Sequence, residues 1–386
     1  MKKNNQKPVL IGGAILLLSF IVFYAGQFLF LDQKSGPDQG KASPSQSSGT
    51  PAEKPFPVEY RQLSAKSGGG NQEVFMLEFD PLDERVEFKP ALSYDSIFGF
   101  EKLSEICGRT GAYAAVNGGF FYEYGDPVGM VAAGGKLYMG ASGYAPVLIV
   151  DSRGPRFEEI TSYISFIYGG VATPVNKLNR TPQNGNIVLY TDNYGSTNRA
   201  KLKNTSVRIE NNVITDIYTG AKEVPLKKNT NLISFFGQSS SIPEQLGMKE
   251  GDPLEIKITP DFEDGYQAYE CGSMLVKEGR NVVPEKDRWA GTLLNRDPRT
   301  AVGIKEDGKL VLVVADGRQP GYSRGFTGTE LADFLIGLGV RNAAMLDGGA
   351  SSQIFVDGSL RNKPSYRGIE RPVAGALIVK VKQPVT

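Results

Sequence analysis

The sequence of 386 residues contains no histidine. Without an imidazole, a Ser-His-Asp triad, a Cys-His dyad and a histidine-ligated zinc site are all excluded. Any proton transfer that the chain carries out must therefore rest on aspartate, glutamate, lysine, tyrosine or cysteine side chains.

Cysteine is nearly absent as well, with Cys107 and Cys271 as the only two in the sequence. Two cysteines are too few for a disulfide framework or a thiolate zinc site. In an oxidising compartment the pair could form one disulfide that closes a long loop. The sequence leaves open whether they pair or form two separate buried thiols.

No excess of charge of either sign is present, since 43 Lys and Arg residues face 42 Asp and Glu residues for a net charge of +1. Lys2, Lys3 and Lys7 lie in the first seven residues. The remainder has no basic field that would attract nucleic acid, so nucleic acid is not a predicted partner. The hydrophobic content of 40% predicts a folded core.

One long apolar run is present, from Val9 to Leu31. As a helix, this run would span about 35 Å, which exceeds a bilayer core of about 30 Å. The lysines before it predict a cytoplasmic N-terminus and an extracytoplasmic remainder, hence a single-pass protein of the cell membrane with the membrane as a partner. The alternative is a cleavable signal peptide, which is less favoured because the run is long and no small-residue cleavage site follows it.

Three regions are predicted on this basis: a transmembrane anchor at 1–31, a disordered linker at 32–70 and a catalytic domain at 71–386. The linker is predicted because the sequence after the anchor is rich in Ser, Pro, Gly and Gln and poor in apolar residues. Asn, Lys and Thr are frequent at about 175–265, which suggests an inserted β subdomain there.

Short runs with apolar residues at alternate positions predict many strands in the domain. Val74–Phe79 and Val86–Pro90 are predicted to pair as a hairpin. Helices are predicted only at Phe100–Cys107 and Thr327–Leu338; the second has a capping threonine and Glu330 in its first turn. The predicted fold class is α+β, with a large mixed or antiparallel sheet and few helices.

Four segments combine glycine with carboxylate, amide, cysteine or arginine side chains at predicted strand ends. They are Ala115–Phe121 (AVNGGFF), Cys271–Val276 (CGSMLV), Asp297–Gly303 (DPRTAVG) with Asp316-Gly317-Arg318 after the next strand, and Met345–Ser352 (MLDGGASS). Any one of these is most often only a turn.

Together and in this order, these segments resemble the phosphodiester glycosidase family. The matching motifs are Asn117–Phe121, Pro298–Gly303, Asp316–Arg318, Glu330–Ala332, Leu346–Gly349 and Glu370–Val373. The resemblance covers residues from about 110 to 380. The family includes a branch of bacterial proteins associated with exopolysaccharide. It implies an extracytoplasmic hydrolase that cleaves the C1–O bond of sugar 1-phosphodiesters, such as N-acetylglucosamine 1-phosphodiesters, in envelope or exopolysaccharide material.

The resemblance, together with the chemistry of the reaction, indicates the site residues. Carboxylates must act at the anomeric carbon, which makes Asp316, Glu330 and Asp347 the catalytic candidates. Arginine binds phosphate through its planar fork, and a Gly-Gly turn brings main-chain N–H groups to an anion. The predicted substrate-binding residues are Asn117, Gly118, Arg299, Arg318, Gly348, Gly349, Ser351, Ser352 and Arg371. Trp289 and some tyrosines are candidates for stacking on sugars.

Two departures from the family pattern are Ala350, where a third glycine is usual, and Cys271–Met274, where glycines and a proline are usual. Ala350 favours one alternative, a non-catalytic glycan-binding protein of envelope polysaccharide assembly. A second alternative is a phosphodiesterase that cleaves the P–O bond. The sequence predicts no cofactor and leaves a structural cation open.

Overall fold

A computed structural model describes residues 55–68, 70–262 and 265–382. The apolar run predicted as an anchor at 1–31 and most of the predicted linker at 32–70 lie outside these residues. Among the described residues, no helix is both long enough and apolar enough to cross a bilayer. The transmembrane helix that formed part of the predicted fold class is therefore not among the helices of the described residues.

Twenty-seven strands and three α-helices are present in the described part of the chain. The first strands are β1 (Val58–Ser67), β2 (Gly70–Phe79), β3 (Val86–Leu92), β4 (Ala114–Asn117), β5 (Val131–Ala133), β6 (Lys136–Met139), β7 (Ser142–Asp151), β8 (Gly154–Thr161) and β9 (Tyr163–Tyr168). The next are β10 (Val171–Val175), β11 (Lys177–Leu178), β12 (Ile187–Thr191), β13 (Asn204–Glu210), β14 (Val213–Ala221), β15 (Asn231–Phe236), β16 (Glu255–Thr259), β17 (Gln267–Glu270) and β18 (Met274–Lys277). The last are β19 (Arg280–Asn281), β20 (Lys286–Asp287), β21 (Gly291–Thr292), β22 (Arg299–Lys305), β23 (Leu310–Ala315), β24 (Val340–Met345), β25 (Ile354–Val356), β26 (Ser359–Leu360) and β27 (Gly375–Val381). The helices are α1 (Leu103–Thr110), α2 (Ile242–Gln245) and α3 (Gly328–Gly337).

The predicted α+β class is wrong, because 48% of the described residues are in strands and only 11% in helices. The short alternating runs of the sequence do form strands, and helices are few, as predicted. The error lies in the weight given to those helices: two short ones cover sheet faces and do not form a layer comparable with the sheets. The protein is a mostly β fold.

Two sheets face each other across the main core. One has seven strands in the order β1-β2-β23-β22-β24-β18-β19, and the other has five in the order β26-β25-β4-β27-β3. In β2, Phe75, Leu77 and Phe79 point into this core, while Val74 and Met76 point to the opposite face. Because successive side chains of a strand alternate between faces, a strand that is apolar at both sets of positions is covered on both sides.

The two longer helices cover the outer faces of these sheets. Leu331, Ala332 and Leu335 of α3 pack on the seven-stranded sheet, and Leu103 and Ile106 of α1 pack on the five-stranded sheet. The helix predicted at 327–338 is therefore α3. The helix predicted at 100–107 begins three residues later and continues to residue 110. Replacing a buried leucine of α3 with alanine is expected to cost about 2–5 kcal/mol.

A separate hydrophobic cluster lies within residues 164–254. It is built on a three-stranded sheet in the order β10-β9-β16 and a five-stranded sheet in the order β11-β12-β15-β13-β14. Residues 55–386 nevertheless group as one compact unit. The inserted subdomain predicted at about 175–265 thus stays a prediction, although a distinct core lies in that part of the chain.

Two local predictions are wrong. β2 and β3 do not form a hairpin, since β2 pairs with β1 and β23, and β3 pairs with β27. The disordered linker predicted at 32–70 includes Val58–Ser67, but these residues form β1, which pairs with β2 along ten residues. Alternation indicates that a strand exists and does not indicate its partner, which is fixed by packing between distant segments.

Candidate active site

The motif segments come together because of the direction in which their strands run. β23 and β24 are both antiparallel to β22, so the end of β23, the end of β24 and the start of β22 lie at one edge of the seven-stranded sheet. In the facing sheet, β25 and β27 are antiparallel to β4, so both start where β4 ends. The motifs therefore follow strand ends that meet at one edge of the two sheets.

Asn117 joins the two sheets at this edge. Its side chain is 1% exposed, and its Nδ2 donates to the main-chain oxygen of Asp347 at 2.7 Å. Its Oδ1 accepts from Thr300 Oγ1 at 2.8 Å and from the main-chain nitrogen of Gln353 at 3.1 Å. The amide is thus committed to the protein, and it positions the Asp347 turn, whereas the sequence had suggested a substrate contact.

Gly118 is required by a close approach. A Cβ at this position would lie 2.3 Å from the Tyr269 hydroxyl oxygen, which accepts a hydrogen bond from the Gly119 main-chain nitrogen. The Gly118 oxygen accepts from the Asp347 main-chain nitrogen at 3.2 Å. Gly118 therefore acts on the site by letting β4 pack directly under the Asp347 turn.

Asp347 follows β24 and remains partly exposed. Burial raises the pKa of its carboxyl group, while a hydrogen bond with Ser351, the positive charge of Arg371 and the Gly348 N–H group act in the opposite direction. Asp347 thus keeps accessible surface together with a polar setting that can support its ionised form.

Arg371 lies beside this carboxylate and is held in place from several sides. Its Nη1 donates to Ser351 Oγ at 2.9 Å, and its guanidinium lies 5.8 Å from the centroid of the Phe121 ring. Gln353 fixes its main chain by donating to the Arg371 oxygen at 2.9 Å and accepting from the Arg371 nitrogen at 3.0 Å. No carboxylate oxygen in the described residues lies within 4.0 Å of the guanidinium, so its charge is available to an anion.

Arg318 approaches the same turn from the other direction. Gly349 has a positive φ of 61°, and a Cβ added there would lie 3.2 Å from Arg318 Nη2. Arg318 also donates to Asp297 through Nε at 2.7 Å, and its side chain is 51% exposed. The turn from Gly348 to Ser351 therefore has two guanidinium groups close to it.

Ala350, Ser351 and Ser352 form the rest of this turn. Ala350 lies in a short 3₁₀ turn and does not have a positive φ, so the conformation does not require the usual glycine there. The Ser352 side chain is buried, and its Oγ has no hydrogen-bond partner among the described residues. Such an orphaned hydroxyl group beside Ser351 is the kind of group that a bound polar ligand would satisfy.

Arg299, a predicted phosphate ligand, is used by the protein itself. Its side chain is 5% exposed, with Nε donating to the Phe326 oxygen at 3.1 Å and Nη2 donating to the Asn295 oxygen at 2.8 Å. Burial lowers the pKa of this guanidinium. The sequence could not show that the guanidinium donates to main-chain oxygens, because both acceptor oxygens lie in loops that fold back on β22.

Asp316, a predicted catalytic carboxylate, is 1% exposed. Its oxygens accept from Asn362 Nδ2 at 2.8 Å, the Lys363 main-chain nitrogen at 2.8 Å and the Tyr322 hydroxyl group at 3.1 Å. Burial raises the pKa of Asp316, and these three donors oppose that shift. The structure places this carboxylate in a closed network, which holds the segment after β26 against the end of β23.

Glu330, the third predicted catalytic carboxylate, lies at the start of α3. It forms an ion pair with Arg296, accepts from Ser67 Oγ at 2.6 Å and completes a capping box with Thr327. Burial alone would raise its pKa, but the hydrogen bonds from Arg296 and Ser67 outweigh burial and lower the pKa to about 2. These contacts give Glu330 a structural role as a helix cap.

Sequence reasoning missed the residues that support the turn. Gln353 is fully buried and clamps Arg371, while Asn362 donates both to Asp316 and to the Ser352 main-chain oxygen at 3.1 Å. Tyr269 reaches Gly119 from another sheet. Gln353 directly follows Ser352 in the sequence. This polar residue next to the motif was the one sequence signal that could have pointed to the supporting residues.

Both cysteines are free and buried, so the disulfide that the sequence left open is not formed. Burial raises the pKa of each thiol to about 12. Among the described residues, no group of three acidic or cysteine side chains is arranged to hold a metal ion.

Comparison with known proteins gives a family match. The sequence pattern of the phosphodiester glycosidase family matches residues 203–380. A prophage-derived uncharacterized protein of Bacillus subtilis, YomE, is 37% identical over 112 residues, which cover 29% of this chain and 17% of that protein. The bovine N-acetylglucosamine-1-phosphodiester alpha-N-acetylglucosaminidase is 36% identical over 99 residues, which cover 24% of this chain and 18% of that enzyme.

Solved structures share the fold over more of the chain. A hypothetical protein from Synechocystis superposes with a TM-score of 0.69 at 22% identity, over 84% of this chain and 62% of that one. A protein from Burkholderia pseudomallei superposes with a TM-score of 0.67 at 22% identity, over 81% and 74% of the two chains. These two likenesses describe the fold alone.

The matched segment spans less than a fifth of the length of the curated relatives, at 17% and 18%. The family pattern also begins after the Asn117–Phe121 motif, so that motif lies outside it. Residues 203–380 match the phosphodiester glycosidase family, which is the family that the motifs of the sequence resemble. The mammalian relatives are named as glycosidases, in agreement with the predicted enzyme class.

Proposed function

From the match of residues 203–380 to the phosphodiester glycosidase family, we propose that this protein hydrolyses the C1–O bond of sugar 1-phosphodiesters. N-acetylglucosamine 1-phosphodiesters are the substrates to test first, because the mammalian relatives are named for them. The proposal assigns the chemistry to the Asp347 turn and the phosphate to the arginines beside it.

The observation that carries the proposal is the pair of guanidinium groups at the Asp347 turn: that of Arg371 lies beside the Asp347 carboxyl group, and that of Arg318 lies beside Gly349. Arg371 donates a hydrogen bond to Ser351, and Arg318 lies where a side chain at Gly349 would meet it, in a turn that follows the partly exposed residue Asp347. A phosphodiester carries one negative charge, which a guanidinium binds through two parallel hydrogen bonds. A phosphate held there would place the linked anomeric carbon beside Asp347.

The reaction needs one carboxylate at C1. When the C1–O bond breaks, its electron pair stays on the phosphate oxygen, and positive charge develops on the sugar ring. Asp347 then either attacks C1 or takes a proton from the water that does. A phosphate monoester is a stable anion, so a strong general acid is not needed to protonate the leaving group. Asp316 and Glu330, whose oxygens are already engaged, are not required for this step.

The first test is hydrolysis of the methyl phosphodiester of N-acetylglucosamine 1-phosphate in oxygen-18 water. Label in the released sugar supports C1–O cleavage. Label in the phosphate contradicts it and favours the phosphodiesterase alternative. Loss of turnover with EDTA would add a metal ion to the mechanism.

The matched variants are Asp347→Asn and Asp357→Asn. Asp357 also precedes a glycine but lies in an exposed turn between β25 and β26. We expect the first variant to lose turnover and the second to keep it. No release of sugar by the unmodified protein from this or related sugar phosphodiesters would overturn the proposal and favour the glycan-binding alternative.

We further propose that the substrate belongs to the cell envelope or to exopolysaccharide and that the domain acts outside the cytoplasm. Support comes from the sequence alone, in the three lysines that precede the apolar run at Val9–Leu31. Protease treatment of intact cells tests the location. Digestion of the domain without lysis is the expected result, and full protection until lysis would contradict it.

A further inference from the structure

A cluster of aromatic rings and one arginine lies next to the candidate active site and has no part in the mechanism above. Tyr122 and Trp289 meet edge to face, with centroids 5.9 Å apart. The Arg288 guanidinium lies 4.2 Å from the centroid of Tyr144 and 5.6 Å from that of Trp289. Tyr122 is 45% exposed and Tyr144 is 71% exposed, so these rings face solvent.

The part of the cluster that carries Arg288 and Trp289 is anchored by hydrogen bonds. Arg288 and Trp289 lie at the tip of the hairpin formed by β20 and β21. Asp287, which is 5% exposed, accepts hydrogen bonds from the main-chain nitrogens of Trp289 and Ser273 and from Ser273 Oγ, at 2.7–2.8 Å. The hairpin tip is therefore hydrogen-bonded to the segment between β17 and β18. This segment is the start of Cys271–Val276, one of the motif segments at the sheet edge. Rigid placement of side chains on such a tip lowers the entropy lost on binding.

The cluster borders a cavity of about 470 Å³. Small-molecule sites typically have volumes of about 300–1,000 Å³. Tyr122 and Tyr144 line this cavity, together with polar and basic side chains that include Ser142, Lys177 and Arg180. The cavity thus combines aromatic faces with hydrogen-bonding groups, as a carbohydrate site requires.

The charges around the cavity favour an anion at Arg288. Arg180 is paired with Asp126 at 3.2 Å and donates to the Val128 oxygen, so its charge is largely committed. Arg288, in contrast, has no carboxylate partner among the described residues, and its guanidinium lies over the rings of Tyr144 and Trp289. A guanidinium that is oriented by aromatic faces and lacks a counter-charge is suited to bind a phosphate group.

The cluster connects to the candidate active site through consecutive residues. Phe121 lies under the Arg371 guanidinium, and Tyr122 is the next residue. A chain of sugars and phosphates bound at Asp347 can therefore continue past Phe121 onto Tyr122, Trp289 and Arg288.

We propose that Tyr122, Tyr144, Arg288 and Trp289, with the cavity that the two tyrosines line, form a second subsite that binds the neighbouring repeat of a sugar-phosphate oligomer. This inference rests on the proposed function, and it specifies the substrate as a chain with more than one phosphodiester. The rings pack on the sugar, and Arg288 binds the phosphate of the neighbouring repeat.

Trp289 is the only tryptophan of the chain, so intrinsic fluorescence reports directly on this subsite. The full-length Asp347→Asn protein is titrated with a trimer of N-acetylglucosamine units joined by 1-phosphodiesters. Neutral tri-N-acetylchitotriose and inorganic tripolyphosphate serve as probes that lack phosphate or sugar. We expect a saturable fluorescence change with the sugar-phosphate trimer, and affinity about tenfold weaker or more for each of the other probes.

The matched pair of variants is Arg288→Ala and Arg280→Ala. Arg280 is an exposed arginine on β19 that pairs with Glu278, so its removal changes the net charge equally. Arg288→Ala is expected to weaken trimer binding about tenfold, Arg288→Lys to give an intermediate value, and Arg280→Ala to leave binding unchanged. Equal binding by Arg288→Ala and the parent protein, or no fluorescence change with the trimer, overturns the subsite.

Kinetics separate this inference from the proposed function. On an otherwise unmodified chain, the ratio of kcat/KM for the trimer to that for the methyl phosphodiester should fall about tenfold in Arg288→Ala, mainly through KM. If turnover occurs and this ratio does not change, the second subsite is wrong and the hydrolase proposal stands. If no substrate is turned over but trimer binding depends on Arg288, the hydrolase proposal fails and the subsite stands.

Discussion

The Asp316-Gly317 and Asp347-Gly348 turns follow two strands, β23 and β24, that flank β22 and end at the same sheet edge. Asp316 is 1% exposed and accepts hydrogen bonds from Asn362, Lys363 and Tyr322. Asp347 is partly exposed, and its carboxylate is set beside Ser351 and Arg371.

The difference shows that equal placement in a sheet does not give equal chemistry. Burial raises the pKa of both carboxyl groups, and hydrogen bonds oppose that shift in both. What separates them is the direction from which the donors come. Around Asp316 the donors come from later segments of the chain, and the residue is buried, whereas around Asp347 they come mainly from its own turn, and the residue stays partly exposed.

The largest expected effect is that of Asp347→Asn. We expect kcat/KM to fall at least about 100-fold, because the group that acts at C1 is lost. Stability at neutral pH should be unchanged or higher: the folded pKa lies above the unfolded one, so the ionised carboxylate costs stability above that range and an amide removes this cost. Urea unfolding and initial rates measure the two effects, with Asp357→Asn as the control. Retained activity would remove Asp347 from the mechanism.

Asp316→Asn should have the opposite profile. In this variant an amide NH₂ group would replace a carboxylate oxygen that now accepts a hydrogen bond, so one donor would lose its acceptor. We therefore expect the free energy of unfolding to fall by about 1–3 kcal/mol. Initial rates, normalised to the folded fraction, should stay within about tenfold of the unmodified protein. If activity disappeared while the unfolding curve did not move, Asp316 would be catalytic and the contrast between the two turns would be wrong.

The pH dependence of activity sharpens the contrast further. If ionised Asp347 is the active form, the acid limb of kcat/KM lies above the ordinary aspartate pKa, since burial raises the pKa of this group. The charge of Arg371 acts against that shift, so Arg371→Gln should raise the pKa and move the acid limb to higher pH. Arg318→Gln is the comparison, because Arg318 contacts Gly349 and not the carboxylate. An acid limb unmoved in Arg371→Gln would contradict this coupling.

The smallest expected effect is that of Glu330→Gln, which tests the third predicted carboxylate. The folded pKa of about 2 lies below the ordinary glutamate value of 4.5, so the stabilisation is present above pH 4.5 and is lost as the pH falls towards 2. The variant should lose about 1 kcal/mol at pH 6 and differ little from the unmodified protein near pH 2. Denaturant unfolding at the two pH values measures this difference. A loss that was equal at both would exclude ionisation of Glu330 as its cause.

Much of the local structure was predictable from alternation and capping. Val74–Phe79, which alternation predicts as a strand, lies within β2, and Thr327 caps α3 with Glu330 as expected. These features depend on residues close together in the chain, where side-chain direction and hydrogen-bond reach are set by backbone geometry. The general position of the site was also predictable, since the motif segments stand at strand ends.

The sequence could not predict which carboxylates and arginines of the site are engaged by the protein itself and which remain available to a substrate. Asp316 and Asp347 each precede glycine after an apolar strand, and the donors that distinguish Asp316 include Asn362 and Lys363 from a remote segment. Arg299 resembles a phosphate ligand in sequence, but its donors are taken by main-chain oxygens. Both outcomes depend on where remote loops fold back, which neither propensity nor spacing encodes.

The hydrogen bond from Asn117 to the main-chain oxygen of Asp347 joins residues 230 positions apart. Contacts of such sequence separation form late, because closing a long loop costs entropy that only the surrounding sheets recover. β4 and β24 must each be assembled before this bond holds the turn in place. During refolding, recovery of activity should therefore follow the slowest phase of assembly, so that the active centre serves as a reporter of the completed fold.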